Sequence, residues 1–112
     1  METTRQKKVS RLLQKELSSI FQKQIPLLLG NIIVTITIVR VSADLANANI
    51  FVSIFPSNNP SEDLKVIKDN SKLFRKYLGN NIIGQLRIVP FLEYFLDDSA
   101  SYAEEIDRLL KK

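Results

Sequence analysis

Apolar residues recur at helical spacing from about residue 5 to residue 24, at Val9, Leu12, Leu13, Leu17, Ile20 and Phe21. Pro26 comes next and biases Ile25 away from helical geometry, so the helix is expected to stop there and Leu27 to Gly30 to be a connector. Ile32 to Val41 is then rich in β-branched residues, as suits a strand. Simple alternation places Thr35, Thr37 and Val39 on one face and Val34, Ile36 and Ile38 on the other. A second strand, ending at Phe55, points Ala48, Ile50, Val52 and Ile54 one way and Asn47, Asn49, Phe51 and Ser53 the other. Between the strands, Ser42, Asp44 and Asn47 carry side chains that hydrogen-bond nearby backbone and favour a turn, which predicts an antiparallel hairpin.

Asn59, Pro60 and Glu62 then read as an N-cap, a first helical position and the far side of a capping box. Leu64, Ile67, Phe74 and Leu78 form the apolar seam of a second helical stretch. Asp69-Asn70-Ser71 interrupts it with side chains that compete for backbone hydrogen bonds, so the helix is expected to break and restart at Lys72, with Gly79 as its C-terminal cap. Gln85 to Leu96 reads as a third strand, in which Pro90 demands an edge, a bulge or an end. After Asp97-Asp98-Ser99, a Ser101/Glu104 capping box and the stripe Tyr102, Ile106, Leu109, Leu110 predict a short final helix. The order is α-β-β-α-(kink)-α-β plus that helix, a single α+β domain over residues 1–112 of the type II KH arrangement.

Composition removes whole classes of function. With no histidine and no cysteine, zinc sites, thiolate nucleophiles and histidine general bases are excluded, and no disulfide forms. No run of about 20 apolar residues is present to span a membrane. The polar N-terminus does not resemble a signal peptide, and a cytoplasmic protein is expected. Gly79 to Gly84 lacks the Lys-Ser/Thr that should complete a phosphate loop and reads as a helix end and a turn. Asp97 and Asp98 read as strand-ending and helix-starting residues, not as a catalytic pair. Most of Phe51, Phe55, Phe91, Tyr94 and Phe95 are expected inside, since a chain this small needs its large side chains in the core.

Charge is segregated. Residues 1–24 carry +4, 25–63 carry −2, 64–87 carry +5 and the remainder −3. Two basic helical stretches therefore flank a near-neutral hairpin, a distribution that suits a polyanion-binding face. The restart at Ser71 and Lys72 would offer free N–H groups to a phosphate, with Lys68, Lys72, Arg75 and Lys76 around it. Arg5, Lys8, Arg11 and Lys15 fall largely off the apolar stripe of the first helix and complete the candidate RNA contacts, with Arg40 and Arg87 as secondary candidates.

Several blocks of the chain resemble the ribosome-binding factor A family. They are Val9 to Leu17, Val41 to Leu45 with Ala48 to Ser53, Phe74 to Gly79, Val89 to Phe95 with Asp97 to Ser99, and Ile106 to Leu110. Their order and spacing cover almost the whole chain. The main departure is the kink, where Asn70-Ser71-Lys72 stands for the family's Ala-x-Gly; Ala43 also replaces a frequent Pro, and the C-terminus is short beside longer members. The resemblance implies a KH-like factor for assembly of the small (30S) ribosomal subunit, binding 16S rRNA near the decoding region and 3′ end. It implies help with processing of the precursor 5′ end, release by other assembly or translation factors, no enzymatic activity and no cofactor. A monomer is expected. Two other readings are a generic single-stranded RNA-binding KH-like module, which the missing Gly-x-x-Gly argues against, and a protein-interaction module using the hairpin edge or the last helix.

Overall fold

A computed structural model describes residues 3–86 and 88–97. Arg87, Asp98 and the expected C-terminal helix lie outside the described residues. The order is α1 (Thr4–Leu29), β1 (Ile33–Val41), β2 (Asn47–Phe55), α2 (Pro60–Asp69), α3 (Ser71–Ile82) and β3 (Phe91–Leu96). The strands form one sheet in the order β1-β2-β3, with β1 and β2 antiparallel and β2 and β3 parallel. The parallel pair is reached through the α2–α3 crossover. All three helices pack on one face of the sheet, giving the α+β architecture read from the sequence.

The core joins these layers through one aromatic trio. Phe21 of α1, Phe74 of α3 and Tyr94 of β3 are buried together, with the Phe21 and Phe74 ring centroids 4.9 Å apart. Around them lie Leu13, Leu17, Ile50, Val52, Ile67 and Leu78, all fully enclosed. The inward residues of β2 are the expected Ala48, Ile50, Val52 and Ile54.

Three element boundaries lie more than one residue from the sequence expectation, and packing decides each. α1 does not stop before Pro26 but runs through it to Leu29. The extra turn buries Ile25 and lays Leu28 and Leu29 against the core, which offsets the hydrogen bond that proline cannot donate. Gly30, at φ +70°, ends the helix, its N–H donating to Pro26 O at 3.2 Å. α3 likewise passes Gly79 and ends at Ile82, because Ile82 continues the buried Phe74–Leu78 seam by one more turn. The turn after it uses Gly84, at φ +86°. β3 begins only at Phe91, so the expected strand is shorter and the buried Pro90 precedes it, where no ladder donor is missed.

In β1 the alternation is broken by a bulge. Ile36 pairs with Val52 and Ile38 with Phe51, leaving Thr37 as the extra residue. Ile36 and Val39 therefore both face the core, while Ile38 turns outward at 40 % exposure. Thr37 Oγ1 donates to Phe51 O (3.2 Å), and Gln14 of α1 donates to Ile36 O (3.1 Å), so the bulge is hydrogen-bonded from both sides.

The aromatics also depart from expectation. Only Tyr94 of the five is buried; Phe55 and Phe91 are mostly exposed and Phe95 is 37 % exposed. Strand parity explains it. Phe51, Phe55, Phe91 and Phe95 share the outward phase of β2 and β3, and Phe51 and Phe95 stack on that open face at 5.3 Å.

Candidate nucleic-acid interface

The hairpin turn occupies residues 42–46. Ser42 Oγ donates to Asp44 Oδ1 at 2.6 Å and accepts the Asn47 N–H at 3.0 Å; Asp44 Oδ1 also accepts the Ala46 N–H at 3.0 Å. The Ser42 hydroxyl, and secondarily the Ala46 N–H, hold the Asp44 carboxyl below its usual range. Asn47, expected to act by its side chain, takes part through its backbone, and Leu45 adopts φ +62°.

The break between α2 and α3 lies at Asn70, as the sequence indicates, with α3 starting one residue earlier than expected, at Ser71. Asn70 sits at φ −102°, ψ 12°. Its N–H donates to Val66 O and Ile67 O, and its side-chain Nδ2 also donates back to Val66 O at 2.8 Å. The side chain is thereby committed to finishing α2 and does not cap α3. No acidic residue stands in the first turn of α3, where Lys72 does. A bare helix start carries partial positive charge on its unbonded N–H groups, and the cations around it add to that field.

Ser71 sits at this start beside the Tyr94 phenol. Burial pushes that phenol well above its usual range, with the Ser71 hydroxyl the smaller, opposing influence. No hydrogen bond of good geometry forms between them, so Tyr94 Oη is buried without a partner, as is Ser10 Oγ in α1.

Lys72, Arg75 and Lys76 line an open hollow of about 320 Å³ against Val89. Arg75 is fixed by backbone carbonyls. Its Nη2 donates to Val89 O at 2.8 Å and its Nε to Pro90 O at 3.3 Å, tying the segment before β3 to α3. The rest of the guanidinium is left exposed in a fixed position. Lys68, in the last turn of α2, is exposed one turn before the break.

Arg5, Lys8, Arg11 and Lys15 are all exposed and make one stripe along α1 at i, i+3, i+6 and i+10. Among the described residues none of these four, nor Lys68, Lys72 or Lys76, forms an ion pair or side-chain hydrogen bond. The structure brings Arg5 to Arg75 across a second cleft, while Lys8, Arg11 and Lys15 line neither that cleft nor the hollow. Arg40 lies on the open sheet face, opposite Asn49, away from the helical cations. Among the described residues no three carboxylates gather as a metal site would need, and no helix is long and apolar enough to cross a membrane.

Known proteins match this chain in sequence over nearly its full length and in fold over about four-fifths of it. The family model for ribosome-binding factor A matches residues 5–110. The chain belongs to the ribosome-binding factor A family. A relative of that name from Cytophaga hutchinsonii is 43% identical over 112 residues, covering 100% of this chain and 84% of the relative. The crystal structure of ribosome-binding factor A from Thermus thermophilus superposes with a TM-score of 0.67 at 19% identity, covering 81% of this chain and 94% of that one. A Thermus thermophilus ribosome-binding factor A fitted into the electron cryo-microscopy map of a 30S complex gives a TM-score of 0.62 at 20% identity, covering 80% and 91%. At such identities these likenesses establish the fold, and the family rests on the sequence matches.

Sequence reasoning missed the second cleft and the commitment of Arg75. A signal for the cleft was available in the outward phase of Phe91 beside the apolar Leu86 and Ile88. Nothing local in the sequence pairs Arg75 with the carbonyls of residues 89 and 90.

Proposed function

We propose that this protein binds the small ribosomal subunit through 16S rRNA during late maturation, assists processing of the precursor 5′ end, and then leaves. It acts by binding and holding, without catalysis or cofactor, as a cytoplasmic monomer that other assembly or translation factors release. Family membership supports the subunit as partner, as does the 30S complex from which the Thermus relative's fitted coordinates come. The observation that carries the chemistry is the uncapped start of α3, with Lys72, Arg75 and Lys76 beside it.

An rRNA phosphate at the Ser71–Lys72 amides would meet the helix dipole and the surrounding cations together. The α1 stripe would add further phosphate contacts, so affinity falls steeply with salt. Paired rRNA would be recognised by shape, since A-form grooves offer side chains little sequence information. Co-sedimentation with purified small subunits, mature and precursor-enriched, at low and moderate salt tests this reading. Salt-sensitive binding that favours the precursor-enriched pool supports it; no binding of the folded protein to either pool overturns it.

A second reading is favoured by one feature, the outward apolar row Ile38, Phe51 and Phe95 across the sheet. As a protein-docking face it would give binding that survives high salt.

A further inference from the structure

Beside the cationic hollow, and sharing Arg75 with it, lies a more apolar cleft of about 320 Å³ between the hairpin turn, the start of α1 and the segment leading into β3. Leu45, Ile88 and Phe91 form its apolar walls, and Arg5, Arg75 and Asp44 its polar rim. Ile88 is 72 % and Phe91 62 % exposed, large apolar surfaces left in water next to one another. Arg75 and Asp44 at the rim are set in place. Arg75 is held by two backbone carbonyls, and Arg5 stands two residues after the Thr3 cap of α1. Asp44 uses Oδ1 for Ser42 and Ala46, leaving Oδ2 without a partner among the described residues.

We propose that this cleft takes the base of one unpaired nucleotide, its face on Phe91 and Ile88, its exocyclic amine donating to Asp44 Oδ2 and its phosphates on Arg5 and Arg75. The proposal rests on the RNA-binding reading and adds to it a base-reading position that the backbone contacts at α3 do not supply. Its volume is near the lower end of small-ligand clefts, about 300 Å³ and upward. A nucleotide answers every part of the lining: a flat π-face for the apolar wall, anionic oxygens for two guanidiniums, and an N–H edge for an ionised carboxylate. An aliphatic peptide side chain would use the wall and leave three charges unengaged. The nucleotide has to be unpaired, because a base within a helix has its faces already stacked. Cytosine, adenine and guanine carry the required amine; uracil does not.

The test is a series of amide-resolved NMR titrations of the folded full chain with CMP, AMP, GMP, UMP and inorganic phosphate. The first three should move the amides of Ala46, Leu86 and Phe91, with UMP weaker by roughly tenfold or more, the worth of one hydrogen bond to a charged group. Inorganic phosphate should move residues near Lys72 and leave the Phe91 side of the cleft still. Phe91→Ser, at an exposed position, should keep the fold and lose the nucleotide response. Asp44→Asn should reverse the base preference. Its Oδ1 stays occupied by Ser42 and Ala46, so an amide donor replaces the free acceptor and now suits the uracil carbonyl.

Equal response to all four nucleotides in wild type and Asp44→Asn, or an undiminished response in Phe91→Ser, overturns the proposal. A cleft that ignores nucleotides but binds a short aliphatic peptide overturns it in favour of a protein partner. Co-sedimentation separates the two levels. Wild type that fails to bind small subunits overturns the RNA-binding reading and the cleft's role with it; wild type that binds subunits yet shows no nucleotide response overturns the cleft alone.

Discussion

The two halves of the broken helix begin in opposite ways. α2 is satisfied by its own residues. Asn59 Oδ1 accepts the Glu62 N–H at 3.2 Å, Pro60 fills the first position without needing a partner, and Glu62 and Asp63 place negative charge in the first turn. The expected capping box is not closed by Glu62. Instead the Asn59 N–H donates to Ser57 Oγ at 3.2 Å, and the Ser57 hydroxyl donates to Asp63. α3 has none of this. Its preceding Asn70 is turned back onto Val66, its first turn holds Lys72, and no side chain caps it.

A helix start left this way costs stability unless something else holds it, and packing is what holds it. Phe74 stands one turn in and is fully buried against Phe21 and Tyr94. The core therefore fixes the position of α3 while its amides stay available. The comparison separates two jobs that a capped helix start combines, folding the helix and satisfying its donors.

Substitutions can break that comparison, and the largest effect should come from the packing side. Phe74→Ala is expected to destabilise the fold by about 3–5 kcal/mol, the usual cost of emptying a buried aromatic site, as measured by denaturant unfolding. A loss near 1 kcal/mol would mean that α3 is held elsewhere. Next in size is binding. Lys72→Glu with Lys76→Glu should weaken small-subunit binding by about tenfold or more at moderate salt. It should also flatten the salt dependence by about one unit of slope for each phosphate that the variant no longer neutralises. Arg75 is kept in that variant because its removal would also release residues 89 and 90.

The capped helix should respond differently. Asn59→Ala is expected to cost about 1 kcal/mol of stability in thermal or denaturant unfolding. Subunit affinity per folded molecule should not change. The smallest effect is the most diagnostic in sign. Lys72→Glu alone places a carboxylate in the bare first turn of α3, which should raise stability by about 0.3–1 kcal/mol while lowering affinity. A variant that lost both would show that Lys72 serves the fold.

Much of this was legible in the sequence because local chemistry dictated it. The Ser42/Asp44 turn, the Asn59–Pro60 helix start and the break at Asn70 each depend on side chains bonding within a few residues. The β2 alternation was equally plain, since Ala48, Ile50, Val52 and Ile54 show an unbroken period of two. The misreadings arose where distant packing outweighed local preference. Pro26 and Gly79 are stop signals, yet the helices continue past both, because the burial of Ile25, Leu28 and Leu29 at one and of Ile82 at the other outweighs them. The Thr37 bulge inverts the phase of β1 through a register fixed by β2, which no single strand reveals. The same holds for the interface: which cations line α1 and α3 could be read from periodicity, but the capture of Arg75 by carbonyls 14 and 15 residues away could not.

Hydrogen exchange on the protein bound to small subunits tests the central claim most directly, because it reads the α3 amides themselves. Peptides covering residues 70–76 should exchange more slowly in the bound state, while those covering the capped start of α2, residues 59–64, should be unchanged. Bound protein whose α3 start exchanges as in the free state, with protection elsewhere, would contradict the account.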